Sequence, residues 1–182
     1  MSKTPDYIEH PPIDMLPHAK QNSLAMTSLL KEAMGSFTTG VTVATTHHDG
    51  HDWGMTCNSF NTVSLDPAMV LWSIRKASNS HSAFVLGGGF TINILAKHQK
   101  ALALNFTTGS QTERFANAGI ERLGSGRARI EGALAWFDCE LAQAVEAGDH
   151  DILIGRVLDF GRQAGEGLAY AQRTFGVMQP LV

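Results

Sequence analysis

The residues from Val41 to Phe60 constrain the fold more than any other stretch of the chain. Val41-Thr42-Val43-Ala44-Thr45-Thr46 is dense in β-branched side chains, which pack well on a pleated surface and crowd a helix. Asp49-Gly50 follows, a dipeptide suited to the positive φ angles of a tight hairpin, and Trp53 to Phe60 returns as the second strand. A lone hairpin is barely stable in water, so further strands are expected around it. Thr62 to Leu65, with Pro67 in the turn, leads to a third strand at Met69 to Ile74, and Phe90 to Leu95 is another. Ala128 to Ala147 and Asp151 to Gly161 read as strand again. The last of these is apolar on both faces, with Ile152, Ile154, Leu158 and Phe160 against Leu153 and Val157. Such a strand is expected to be covered on both sides, as in a closed barrel with a helix or a partner outside.

Helical signals are short. Leu24, Thr27, Leu30 and Met34 recur at helical spacing after Ser23, which can cap, and before Gly35, which can stop the helix. Asn79 or Ser80 can cap a helix over Ala83, Phe84 and Leu86, ended by Gly87-Gly88-Gly89. Lys97 to Phe106 reads as a helix, and a shorter one is expected around Gln111 to Asn117 within the glycine-rich, polar residues 107–127. Residues 1–22 hold four of the six prolines and no sustained periodicity, so they read as an extended or disordered arm. Residues 23–182 read as one mainly β domain, an antiparallel barrel with a few flanking helices.

Composition removes several function classes. The formal net charge of −3 argues against nucleic acid as a partner, which would call for a basic face. No apolar run reaches membrane-spanning length and no signal-peptide pattern opens the chain, so a cytoplasmic location is expected. Cys57 and Cys139 fit neither a redox pair nor a zinc spacing and read as reduced thiols. A charged fraction of 17% beside 43% apolar residues points to surface buried in an oligomer.

The chemistry concentrates in two runs of small polar residues. Thr56, Cys57, Asn58 and Ser59 offer hydroxyl, amide and backbone groups at a strand end, suited to the edge of a flat polar ring; such residues also bond their own turns. Ser73, Ile74, Arg75, Lys76, Ser78, Asn79 and Ser80 combine two cations, hydroxyls and a helix start, which reads as a phosphate cradle or as a solvated cap. Together on sequential strands they favour a phosphorylated cofactor. No phosphate loop or dinucleotide fingerprint occurs, so such a cofactor binds in some other way. His150, in the turn Gly148-Asp149-His150, either enters a pocket at the barrel rim or stands in water. His47, His48, His51, Asp49 and Asp52 cross a tight turn, where side chains splay apart instead of converging on a metal.

Several segments resemble the flavin reductase-like family. They are Phe37-Thr38-Thr39-Gly40-Val41-Thr42-Val43, Gly54-Met55-Thr56-Cys57-Asn58-Ser59-Phe60 and Val63-Ser64-Leu65-Asp66-Pro67, then Phe90 to Ala96, Gln99 with Leu102-Ala103, Arg114-Phe115, and Gly148-Asp149-His150 with Gly155 and Val157. The resemblance runs in order over residues 28–160. It implies an FMN-binding split barrel working as a homodimer, with FMN or FAD as flavin and NADH or NADPH as hydride donor. It further implies a partner monooxygenase supplied by diffusing reduced flavin. By the same resemblance Thr56 to Ser59 would meet the ring and ribityl chain, Ser73 to Ser80 the phosphate end, and Ile94, Leu95 and Gln99 the ring or tail. His150 would help place the nicotinamide. Cys57 stands where the family often has alanine, and the tail after Gly161 carries little of its signature. Two rival expectations are a split-barrel oxidase that retains its flavin and a non-catalytic flavin- or haem-binding module.

Overall fold

The hairpin forms as expected. Strand β1 (Thr39–Gly40) leads into β2 (Thr42–His48), which pairs antiparallel with β3 (His51–Cys57). At the turn Asp49 has φ 51° and Gly50 φ 74°, the left-handed pair whose twist matches that of the flanking strands. The computed structural model describes residues 24–180, so the expected arm over residues 1–22 and the Ser23 cap lie outside the described residues. The chain separates into two units, residues 1–37 and 38–182. In the first, α1 (Leu24–Gly35) occupies the expected helix, but none of its residues is buried; Leu24 is 90% exposed.

In the second unit the hairpin is followed by β4 (Asn61–Leu65), β5 (Ala68–Arg75), α2 (His81–Leu86) and β6 (Gly89–Ile94). A 3-10 turn over Lys97–Gln99 leads into α3 (Lys100–Asn105), and α4 (Gln111–Ala116) precedes a two-stranded ribbon of β7 (Ile120–Arg122) and β8 (Ala128–Ile130). The long strands β9 (Ala135–Ala147) and β10 (His150–Arg162) follow, then β11 (Ala169–Ala171) and β12 (Thr174–Gly176). Seven strands form one antiparallel sheet in the order β3-β2-β6-β9-β10-β5-β4.

The edges of that sheet, β3 and β4, are joined by residues 58–60 alone. Four peptide steps reach about 14 Å. The outer strands of a flat seven-stranded sheet stand about 29 Å apart. The sheet must therefore curl until its edges approach, giving a barrel split between β3 and β4.

Alternation along the strands fills two cores. Val70, Trp72 and Ile74 of β5 point inward with Ala44, Phe84, Phe90, Ile92, Cys139 and Leu153. Trp72 meets Phe84 and Phe90 edge-on, with centroids 4.8 Å and 5.9 Å away. Val41 and Val43 face the other way, against Leu95, Ala103, Phe106, Ile130 and Leu168. Most polar side chains enclosed there are satisfied, although the Trp72 indole N–H finds no acceptor among the described residues. Asn93 donates to the Val43 carbonyl at 3.0 Å and accepts the Ile130 amide at 2.8 Å, while Arg127 pairs with Asp138 at 2.8 Å.

Two expectations need correction. The stretch Ala128 to Ala147 is two strands, because Gly132 turns the chain at φ 73° between β8 and β9. The helix expected over Lys97 to Phe106 is a 3-10 turn and a short α-helix. On β10 Leu153 is fully buried, whereas Leu158 and Phe160 on the other face are 53% and 66% exposed among the described residues, which leaves that face open to the outside partner the sequence reading allowed. Beyond Gly161, β11 pairs with both β1 and β12.

Candidate functional site

The two polar runs meet at the split. The Ser59 hydroxyl accepts the Ser73 amide hydrogen at 3.0 Å and donates to the Ser73 carbonyl at 3.1 Å. Thr56 is anchored from the other side, its hydroxyl donating to the Ala103 carbonyl at 2.6 Å and its amide to the Phe106 carbonyl at 3.2 Å. The Cys57 sulfur lies 3.0 Å from the Thr42 hydroxyl, and burial pushes its thiol up to about 11, so it packs as a neutral group. Asn58 is exposed. Thr56, Cys57 and Asn58 line a cleft of about 360 Å³ whose far wall is Tyr170, Arg173 and Phe175 of the C-terminal hairpin.

The second run divides by strand parity. Ile74 is fully buried in the core, while Arg75 and Lys76 are exposed and Lys76 pairs with Glu146. Ser80 occupies the cap position of α2, yet its hydroxyl makes no capping bond and accepts instead from Gln111 Nε2 at 3.0 Å. Ser78, Asn79 and Ser80 form one lip of a larger cleft of about 800 Å³. Residues 50–53 and 109–116 supply the other walls.

His150 opens β10 in register with Arg75, the last residue of β5, which brings it alongside the early part of the second run. Its Nδ1 lies 2.7 Å from the Asp149 carboxylate, leaving Nε2 to face outward contacts. The hydrogen bond to His150 holds the Asp149 carboxyl below its ordinary range, helped by the charges of His150 and Arg75. Beside it, His81 Nε2 and Asp151 form a 2.6 Å pair that ties α2 to β10. Ile94 pairs with Thr42, which in turn pairs with Cys57, so it lies two strands from the first run. Leu95 is fully buried in the second core. Gln99 spends its amide on the backbone, accepting from Ala96 at 2.9 Å and donating to Glu131 at 2.8 Å.

Two residues of α4 connect the site in a way the sequence reading did not identify. Gln111 accepts the Gly54 amide at 2.8 Å while donating to Ser80, so one side chain ties β3 to the second run. Arg114 donates to the Gly54 carbonyl at 2.7 Å and to the Thr108 carbonyl at 3.1 Å, with no carboxylate partner among the described residues. The Ser110–Glu113 capping box that starts this helix is readable in sequence, but its docking on β3 is not. At the hairpin tip His47 bonds Asp52 at 2.9 Å and His51 bonds the Asp49 carbonyl at 2.7 Å. Among the described residues no group of three or more His, Cys, Asp or Glu side chains is arranged to hold a metal.

The flavin reductase like domain matches residues 34–179 of the chain. The chain belongs to the flavin reductase-like family. This flavin reductase-like chain is 46% identical over 142 residues to the reductase component of a flavin-dependent trigonelline monooxygenase from Acinetobacter baylyi. That match covers 78% of the chain and 46% of the relative, so the chain spans about half of that protein's length. It is 41% identical over 146 residues to the FMN reductase (NADH) SmoA of Agrobacterium fabrum, covering 80% of the chain and 83% of SmoA. Its fold matches that of the NADH:FAD oxidoreductase SgcE6 from Streptomyces globisporus, solved with NAD and FAD fragments. There the TM-score is 0.81 at 31% identity, over 87% of this chain and 96% of that one.

Proposed function

We propose that this flavin reductase-like protein is a nicotinamide-dependent flavin reductase that delivers reduced flavin to a partner monooxygenase. The observation that carries the reading is the junction of the two polar runs through Ser59 and Ser73, with His150 in register beside Arg75 within the second. Thr56 to Ser59 hold the ring edge, and Ser73 to Ser80 hold the phosphate end. Bound flavin supplies the hydride-accepting chemistry. The chain contributes binding and orientation. Thr56 and Ser59 are locked by backbone partners, so the groups that meet the ring do not reorganise when it binds. Arg75 and the Ser78 hydroxyl meet phosphate charge, and Asn79, exposed on the lip, adds an amide. Asp149 fixes the His150 ring so that Nε2 is presented to the nicotinamide.

The working form is a homodimer in the cytoplasm. Support for the dimer comes from the outer face of the sheet, where Val145, Leu158 and Phe160 are exposed, as is Leu65 on the β4 edge. No helix among the described residues is long and apolar enough to cross a membrane. The test is anaerobic mixing of the full chain with FMN or FAD and with NADH or NADPH. Bleaching of added flavin with turnover is expected; no bleaching with any of the four pairs overturns the reading, and a yellow protein inert to nicotinamide points to the oxidase.

A further inference from the structure

Residues 149–151, where the chain enters β10, grip both ends of the segment that joins β5 to α2. The Asp149 carbonyl accepts the Lys76 amide at 3.0 Å, which fixes the start of that segment. The Asp151 carboxylate accepts a bond from His81 Nε2 at 2.6 Å, and His81 is the first residue of α2, where the segment ends. His150 lies between these two anchors.

Asp151 occupies a costly position. It stands opposite Ile74 and two residues before Leu153, so it shares the inward face of the sheet with two fully buried apolar residues. A carboxylate at the mouth of an apolar core is unfavourable unless it is bonded, and His81 supplies the bond. The two side chains are only 21% and 15% exposed, so the pair is withdrawn from the water that weakens a surface ion pair. Helix α2 does not depend on the pair for its place in the core, because Phe84 packs edge-on against Trp72 at 4.8 Å. The Ser80 hydroxyl makes no capping bond and is turned to Gln111 of α4. The tie from the end of this segment to β10 is therefore the bond between His81 and Asp151.

We propose that His81 and Asp151 are positioning residues, which touch neither flavin nor nicotinamide but hold residues 78–80 in fixed relation to His150. The inference rests on the reductase reading for the phosphate that this segment meets. Neighbours on a strand point to opposite faces, so one stretch of backbone presents His150 on one side and anchors the phosphate segment from the other. A flavin held by its phosphate is thereby kept in register with the histidine.

The experiment titrates the full chain with FMN and with riboflavin, without nicotinamide, in the parent, Asp151→Ala, Asp151→Asn, His81→Ala and the double alanine variant. Riboflavin lacks only the phosphate, so its affinity reports on the fold and on the ring segment. Asp151→Ala is expected to weaken FMN binding about tenfold, equivalent to about 1.4 kcal/mol, with riboflavin affinity unchanged. Asp151→Asn, whose amide oxygen accepts the same bond, is expected to keep most of the FMN affinity. The double variant is expected to lose no more than either single one, since each removes the same bond. A parent chain that holds riboflavin as tightly as FMN, an equal loss of both ligands in Asp151→Ala, or additive losses in the double variant overturns the proposal. A chain that shows the expected affinities yet reduces no flavin with NADH or NADPH loses the reductase reading alone. One that reduces flavin while Asp151→Ala keeps the full preference for FMN loses the positioning role alone.

Discussion

Ser59 and Ser73 are joined by a two-way bond, in which one hydroxyl satisfies both the amide and the carbonyl of a residue on another strand. This bond holds the connection between the sheet edges against β5, and so sets the spacing between the two polar runs. Ser59→Ala leaves a strand amide and a carbonyl unpartnered in a half-buried place. The expected cost is about 1–3 kcal/mol of stability. Chemical denaturation should show that loss, and flavin titration a weaker affinity for FMN. An unchanged unfolding midpoint would mean that water replaces the hydroxyl at no cost.

His150 touches no other part of the proposed ring site, so its contribution should separate from flavin binding. His150→Ala is expected to slow flavin reduction or to raise the KM for the nicotinamide, with flavin affinity largely intact. Stopped-flow reduction at saturating flavin makes the measurement. Unchanged turnover together with unchanged nicotinamide affinity removes His150 from the mechanism. Asp149→Asn is a milder companion, since it removes the charge that holds the imidazole and keeps the ring.

What was legible from sequence was local. The β-branched run at 41–46 and Asp49-Gly50 announce the hairpin because branched side chains and positive φ act within a few residues. Polar composition announced the two runs for the same reason. Leu158 and Phe160 marked β10 as apolar on two faces, but that pattern does not say what covers the second one. Gln111 and Arg114 were missed because their partners Gly54 and Ser80 are tens of residues away in sequence. Ile94 and Leu95 stood out through their resemblance to a family segment, and parity then sent the Leu95 side chain into the core.

The pairing of Asp52 with Arg122 and His47 makes a testable statement about acid stability. Burial pushes the Asp52 carboxyl upward, but hydrogen bonds from Arg122 and His47, and then their charges, outweigh it, so its folded pKa lies below the ordinary value. A depressed folded pKa contributes stability that is complete above the unfolded value, about 3.9, and that fades as pH falls through the folded value. Arg122 is half exposed, so solvent screening limits the effect to about 1 kcal/mol. Asp52→Asn should therefore lower stability near neutrality and converge with the parent chain below about pH 4. A stability difference that persists unchanged into that acid range would show that packing, and not charge, is what Asp52 contributes.

Gly155 of β10 faces Phe90 of β6 and Cys139 of β9 with no room for a side chain. A β-carbon there would stand 2.5 Å from Phe90 Cζ and 2.8 Å from Cys139 Cβ. The first contact is a ring fixed edge-on against Trp72, and the second sits at the root of a buried side chain, so neither can yield cheaply. Gly155→Ala is expected to cost about 1–3 kcal/mol by overpacking. A shorter side chain at position 90 relieves the nearer clash and leaves the backbone-proximal one, so Phe90→Leu combined with Gly155→Ala should destabilise by less than the two single changes summed. Thermal or urea unfolding of the four proteins completes the cycle. Strict additivity would mean that β10 moves away as a unit, and would place the slack in the strand register shift beside Gly155 instead of in the ring.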